Sequence, residues 1–243
     1  MTTRAALLIA SPDAKIPGAH MDALNFRKFL RSPLGGAWGD NEIKVLENPS
    51  MRELNYELRR LEDCDYAFVT FAGHGRHVST DRWVRIQINL SDEISSIDLR
   101  KGAKKQTVIL DCCRVLEKEY VMDSAFAKSG GYRNALDPVD CRRFFDMRID
   151  ECQPGLVVLH SCGFNETAGE SSRGGWYSLA LIEGAGDWEK EREIKLPENL
   201  SLLSVMRAHE RADSIVRRES GERQHPNAEY PRTELHFPFA IIA

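Results

Sequence analysis

The feature that most restricts the fold is a set of short, continuous apolar runs, each bounded by turn residues and separated by amphipathic stretches. Tyr66 to Ala72, Thr107 to Leu110 and Leu156 to Leu159 are rich in β-branched or aromatic residues and have no polar side to turn to water. Arg4 to Ala10 reads as a further buried strand, Glu42 to Leu46 as a second and Phe237 to Ile242 as the last. Strands that are apolar on both faces need cover on both faces. Their alternation with helical stretches therefore predicts an α/β fold with a mainly parallel sheet between helices.

The helical stretches carry their own signals. Ala19 to Leu30 predicts a helix with Leu24, Phe26 and Leu30 inward. Ser50, with Glu53 three residues later, reads as a capping box opening a helix whose Leu54, Leu58 and Leu61 share one face. Two more helices are expected around Tyr177 to Ile182 and Leu200 to Arg218. Arg82 to Asn89 alternates polar and apolar residues, as an exposed hairpin arm beside the sheet would. Leu116 to Pro154 fits this pattern poorly, carrying charges, the Gly130-Gly131 pair and Pro138. It reads either as a long functional loop or as a helix followed by an ordinary surface insertion.

With 243 residues the chain suffices for one sizeable core, so residues 1–243 are expected to form a single domain. Lys and Arg total 33 against 37 Asp and Glu, a net charge of -4 that argues against a nucleic-acid partner. No apolar run approaches the roughly 20 residues that span a bilayer. Ala5 to Ala10 lacks the length and cleavage site of a secretory signal, so the expected location is the cytoplasm, away from membranes. Six cysteines are too sparse for a disulfide scaffold, and no Cys-x-x-Cys pair suggests zinc. Neither a metal nor another cofactor is expected.

Two of the strands end in residues that carry chemistry. Tyr66 to Ala72 runs into Gly73-His74-Gly75, and Thr107 to Leu110 into Asp111-Cys112-Cys113-Arg114. Sites in open α/β sheets form beyond the carboxyl ends of the strands. If these two strands are neighbours, His74 and Cys113 meet in one cleft. A thiol near pKa 8.5 is only slightly ionised at neutral pH, and a nearby imidazole can take its proton and return it to a leaving amine. The backbone N–H groups of Gly75 and Cys113 are candidates for an oxyanion hole.

Phe71-Ala72-Gly73-His74-Gly75 followed by Leu110-Asp111-Cys112-Cys113-Arg114 resembles the His and Cys boxes of the caspase and metacaspase superfamily. The resemblance implies a caspase-like α/β/α sandwich with a mostly parallel six-stranded sheet and helices on both faces. It implies a Cys–His dyad and selects Cys113 over Cys112 as nucleophile. Gly18 to Ala23 is similar to a metacaspase segment whose aspartate, here Asp22, lines an acidic pocket with the aspartate opening the Cys box, here Asp111. Two carboxylates there would select Arg or Lys before the scissile bond; as residues alone, Asp22 also reads as a solvated helix-start acid. Cys162, after a strand, and Trp176, in a Gly-Gly-Trp-Tyr-Ser run similar to one in caspases, read as pocket-wall or core residues. The chain departs from the metacaspase pattern in Arg114-Val115-Leu116 and in Ala19, where those enzymes usually have His-Ser-Gly and cysteine.

The resemblance also implies a zymogen. The stretch of about 116–154 becomes a candidate activation loop, with Lys128, Arg133, Arg142, Arg143 and Arg148 as cleavage candidates. The expected activity is endopeptidase cleavage of proteins after Arg or Lys, in a bacterial defence or cell-death cascade, with an upstream protease as a candidate activator. The departures after Cys113 and at Ala19 leave open a catalytically inactive pseudopeptidase acting as an interaction module.

Overall fold

A computed structural model describes residues 2–78, 82–115, 136–195 and 201–243. In chain order the elements are β1 (Arg4–Ala10), α1 (Ala19–Arg31), β2 (Ile43–Glu47), α2 (Met51–Leu61), β3 (Tyr66–Ala72), β4 (Gly75–Arg76), β5 (Arg85–Gln87), β6 (Glu93–Ser95) and β7 (Lys105–Asp111). Then follow α3 (Pro138–Glu151), β8 (Gly155–His160), β9 (Glu170–Ser171), β10 (Gly174–Gly175), α4 (Trp176–Lys195), β11 (Ser201–Ser204), α5 (Val205–Ser220), β12 (Asn227–Glu229) and β13 (Pro238–Ile242).

The central sheet has six strands in the order β12-β8-β7-β3-β1-β2. All pairs are parallel except the edge strand β12, which runs antiparallel to β8. Alternation along each strand sends neighbouring side chains to opposite faces. Ala6 and Leu8 of β1, with Tyr66 and Phe68 of β3, face a core shared with α1, α3, α4 and α5. Leu7 and Ile9, with Val69 and Phe71, face a second core closed by α2 and the three-stranded sheet β4-β5-β6. Both faces of the strands are dry, which is why their sequences are continuously apolar.

The α2 capping box forms: Glu53 N–H donates to Ser50 Oγ at 3.3 Å and Ser50 N–H to Glu53 Oε2 at 2.9 Å. Four expectations change, the first being that the helix expected from Leu200 starts at Val205, after strand β11. In α1 the inward residues are Ala23, Phe26, Phe29 and Leu30, while Leu24 is exposed, because Phe26 and Phe29 set the buried stripe and Leu24 points off it. The sixth strand of the sheet is β12, and the C-terminal β13 instead pairs with β11 in a two-stranded ribbon over the α3–α5 face. The hairpin arm around β5 is not free, since Val84, Ile86 and Ile88 are buried in the second core.

The stretch proposed as one activation loop is interrupted. Residues 138–151 form α3, started by Asp137, whose Oδ1 accepts from Val139 N–H at 2.7 Å, and by Pro138 in the first turn. Arg142 in this helix is clamped by Glu42 at 2.6 and 2.9 Å, Arg143 pairs with Asp140 at 3.0 Å and Arg148 with Glu151. Proteases bind extended chain, so backbone tied into a helix makes these three arginines poor cleavage sites. Lys128 and Arg133 lie outside the described residues. Among the described residues no helix is long and apolar enough to cross a membrane.

Candidate active site

Strand register assembles the site. Ala72 of β3 pairs with Asp111 of β7, so the two strands end level with each other. His74 and Cys113 each stand two residues beyond that pair and emerge from the same sheet edge. Both line one cavity with Asp22, Asp111, Glu170 and Gly175. The α-carbon of Gly75 packs against Cys112 Sγ and the Cys113 carbonyl, which joins the His-bearing turn to the Cys-bearing turn. Gln87 N–H donates to the His74 carbonyl at 3.0 Å and holds that turn to the β5 arm.

The Cys113 sulfur is mostly buried, and Ala168 N–H donates to it at 3.4 Å. Burial pushes its thiol above the ordinary range; the Ala168 amide opposes this, while Asp111 and Glu170 add to it. Cys112 is buried among apolar neighbours and its thiol is pushed up further, first by burial. It is a packing residue.

Asp22 and Asp111 do come together, and a third acid joins them. Asp22 accepts from Gly175 N–H at 2.9 and 3.0 Å. Asp111 accepts from Ser178 N–H at 3.0 Å and Ser178 Oγ at 2.7 Å. Glu170 on β9 accepts from Gly18 N–H at 2.5 Å, ahead of α1. Gly174 and Gly175 pass so close that a Cβ there would lie 2.3 Å from Asp22 Oδ1 and 2.4 Å from Asp111 Oδ2 respectively, and Gly174 has φ +126°. Only glycine fits both the approach and that backbone angle. Burial raises all three carboxyls: Asp22 well above its usual range, helped by Asp111 and Glu170; Asp111 despite its serine bonds; and Glu170 to about 7.

The remaining residues fall elsewhere. Cys162 is fully buried behind the wall, with its thiol near the Cys112 and Glu166 carbonyls, each at 3.4 Å. Trp176 belongs to the first core and packs beneath Gly169, so it backs the wall without reaching the cavity. Arg114, which departs from the metacaspase pattern, anchors the following segments: its guanidinium reaches the Cys162 carbonyl at 3.3 Å and Asn227 at 3.2 Å, and its N–H donates to the Glu166 carbonyl. Sequence reasoning missed Glu170 and also Asp13, whose Oδ2 lies 2.8 Å from His74 Nε2. Asp13 could have been found, because it too follows a strand ending at this sheet edge. Glu170 sits in an irregular stretch with no such signal. Among the described residues, no group of His, Cys, Asp and Glu side chains is arranged to hold a metal.

The caspase domain family model matches residues 3–237, and the chain belongs to that family of cysteine peptidases. Among solved structures it is similar to caspase-1 from Spodoptera frugiperda, with a TM-score of 0.51 and 14% identity over 93% of this chain and 85% of that one. At that identity the likeness shows the fold: a caspase-like α/β sandwich. A comparison with curated protein sequences finds no match. Members of the family act on protein substrates.

Proposed function

We propose that the protein is a cysteine endopeptidase that cuts proteins after Arg or Lys, with Cys113 as nucleophile, His74 as its base and Asp22 and Asp111 as the acidic floor of the pocket for the preceding residue. The carrying observation is the gathering of the buried Asp22 and Asp111 and the half-buried Glu170 in the cavity of Cys113, all three raised above their ordinary pKa by desolvation. Buried like charges raise one another when a counter-cation is wanting. A guanidinium or ammonium entering from substrate supplies it and is fixed by charge-assisted hydrogen bonds. Lys15, at the cavity, is the only permanently cationic side chain among its described lining residues. The backbone amides of Gly75 and Cys113 would receive the oxyanion.

The pocket is narrow and partly open as it stands. The space open to the centre of a water molecule is about 40 Å³, a few times the roughly 10–15 Å³ that holding one water takes on the same measure. The narrowness of the pocket supports the zymogen reading, in which a cut between β7 and α3 activates the chain. With the α3 arginines tied down, Lys128 and Arg133 are the favoured positions for that cut. Replacing both by alanine is expected to leave the chain uncut on a gel and inactive. Full activity in an uncut chain would show that no cleavage is needed. By family resemblance the trigger would be a separate sensor or upstream protease, in a bacterial defence or cell-death cascade.

The specificity is tested with fluorogenic peptides that differ only in the residue before the scissile bond. Arg is expected to be turned over fastest, then Lys, with Asp and Leu slower than Arg by about 10³-fold or more, since a site built for one charged group leaves its own groups unpaired with others. Preference for Asp would overturn the pocket assignment. No turnover of any peptide by the processed chain would favour the interaction-module alternative.

A further inference from the structure

The sheet edge that brings Cys113 and His74 together has a third contributor. In the order β7-β3-β1, Asp111, Ala72 and Ala10 stand in one row, Asp111 paired with Ala72 and Ala72 with Ala10. Just beyond that row stand Cys113, His74 and Asp13, one from each strand end and in the same spatial order. His74 Nε2 lies 2.8 Å from Asp13 Oδ2. We infer that Asp13 is a positioning residue for His74, so that the site works as a Cys113–His74–Asp13 triad and not as a bare dyad. The inference rests on the peptidase reading above.

The carboxylate is held for that task. Its other oxygen accepts from the N–H groups of Lys15 at 2.7 Å and Ile16 at 3.0 Å, which fixes the side chain while Oδ2 meets the imidazole. The loop carrying it is anchored on both sides. Ser11 N–H donates to the Ala72 carbonyl at 2.8 Å, and Asn48 Nδ2 donates to the Pro12 carbonyl at 3.3 Å. Gly73 makes the approach of the two turns feasible, because a Cβ there would lie 2.9 Å from that of Ser11. Burial raises the Asp13 carboxyl, but the bonds from His74, Lys15 and Ile16 outweigh it and leave the group below its usual range. An anion bonded to Nε2–H sets the tautomer that keeps the lone pair on Nδ1, the nitrogen then able to take the thiol proton, and it stabilises the imidazolium that forms. The other charged or titratable groups around the cavity are Lys15, Asp22, Asp111, Glu170, Cys112 and Cys113 itself.

Asp13→Asn separates this role from loop structure, because an amide oxygen still accepts from Lys15 and Ile16 but the charge opposite His74 is gone. In the processed enzyme kcat is expected to fall by about 10²-fold with little change in KM. The loss is smaller than the roughly 10⁴-fold for a fully enclosed triad aspartate, because a quarter of the Asp13 side chain is exposed. Alkylation of Cys113 by iodoacetamide, followed by mass spectrometry of its peptide, reads the thiolate without substrate. Asp13→Asn should slow it about tenfold at pH 6 to 7, with the gap to the wild type closing as pH rises and the thiol ionises without help from the imidazole. Asp13→Glu should recover part of the loss. An Asn profile overlying the wild type, while His74→Ala shifts it, overturns the triad and spares the dyad. A profile unmoved by His74→Ala overturns both. Should the variants fail to fold, ring-nitrogen NMR of the wild type decides: protonation of Nε2 in neutral His74 is expected, and protonation of Nδ1 overturns the assignment.

Discussion

Cys113→Ala is expected to abolish cleavage of an Arg-containing fluorogenic peptide, lowering kcat/KM by about 10⁴-fold or more, while Cys112→Ala keeps most of the activity. Removing a covalent nucleophile removes the whole two-step route, which is why such losses exceed those of any binding residue. The adjacent thiols differ in surroundings and not in chemistry. Cys112 turns into the second core, against the backbone of Gly75, and its sulfur is nearly inaccessible. Truncating it trades a small apolar group for a small void, a cost of about 1 kcal/mol in stability. Cys113 lines the cavity that holds His74 and accepts the Ala168 amide. The same pair of variants is read by kcat/KM and by thermal melting. Retained activity in Cys113→Ala, with loss in Cys112→Ala, would exchange the two assignments.

How legible this was in the sequence differs between sheet and site. Tyr66 to Ala72 was bounded to the residue, and the runs around Leu110 and Leu159 to within a few residues, because strands buried on both faces leave an unbroken apolar signature. α3 left little: Cys141, Phe145 and Ile149 share a buried face, but Val139 and Met147 are apolar and exposed and Asp146 is acidic and buried, which blurs the stripe. β12 is three residues long and polar, and nothing in Asn227-Ala228-Glu229 predicts an edge strand. It is held by Glu229, which takes His160 Nε2 at 2.9 Å and Arg100 at 2.8 Å. In the site, His74, Cys113, Asp22 and Asp111 were visible as motif residues. Asp13 and Glu170 went unnoticed: Asp13 follows a strand end as His74 and Cys113 do but stands in no motif, and Glu170 lies on a two-residue strand too short to leave a pattern. Cys162 and Trp176 lie close in sequence to wall-forming residues, and their side chains turn to the core all the same.

Asp111→Asn and Asp22→Asn are expected to move activity and stability in opposite directions. The substitutions keep the shape and one acceptor oxygen, so Ser178 can still donate to position 111 and Gly175 to one oxygen at position 22. What they remove is charge. Each charge-assisted contact to a substrate guanidinium is worth about 1.5–3 kcal/mol, or roughly 10- to 150-fold in kcat/KM on an Arg peptide. The ratio of Arg to Leu turnover should collapse with it. In the free protein the same carboxylates are a liability, because burial without a cation holds their pKa values up. An acid whose folded pKa is raised keeps its proton longer in the folded state than in the unfolded one. Stability then falls as pH rises out of the ordinary carboxylate range, with the Glu170 share of the loss complete only above about pH 7. The asparagine variants lack part of that slope and should melt at a higher temperature than the wild type at pH 8, with the gap narrowing toward pH 4. A basic inhibitor should reverse the wild-type slope, binding more tightly as pH rises through about 7 and Glu170 ionises. An unchanged Arg to Leu ratio in both variants would remove Asp22 and Asp111 from the recognition of substrate. A melting temperature that drops at pH 8 would show that their charges are compensated in the folded chain.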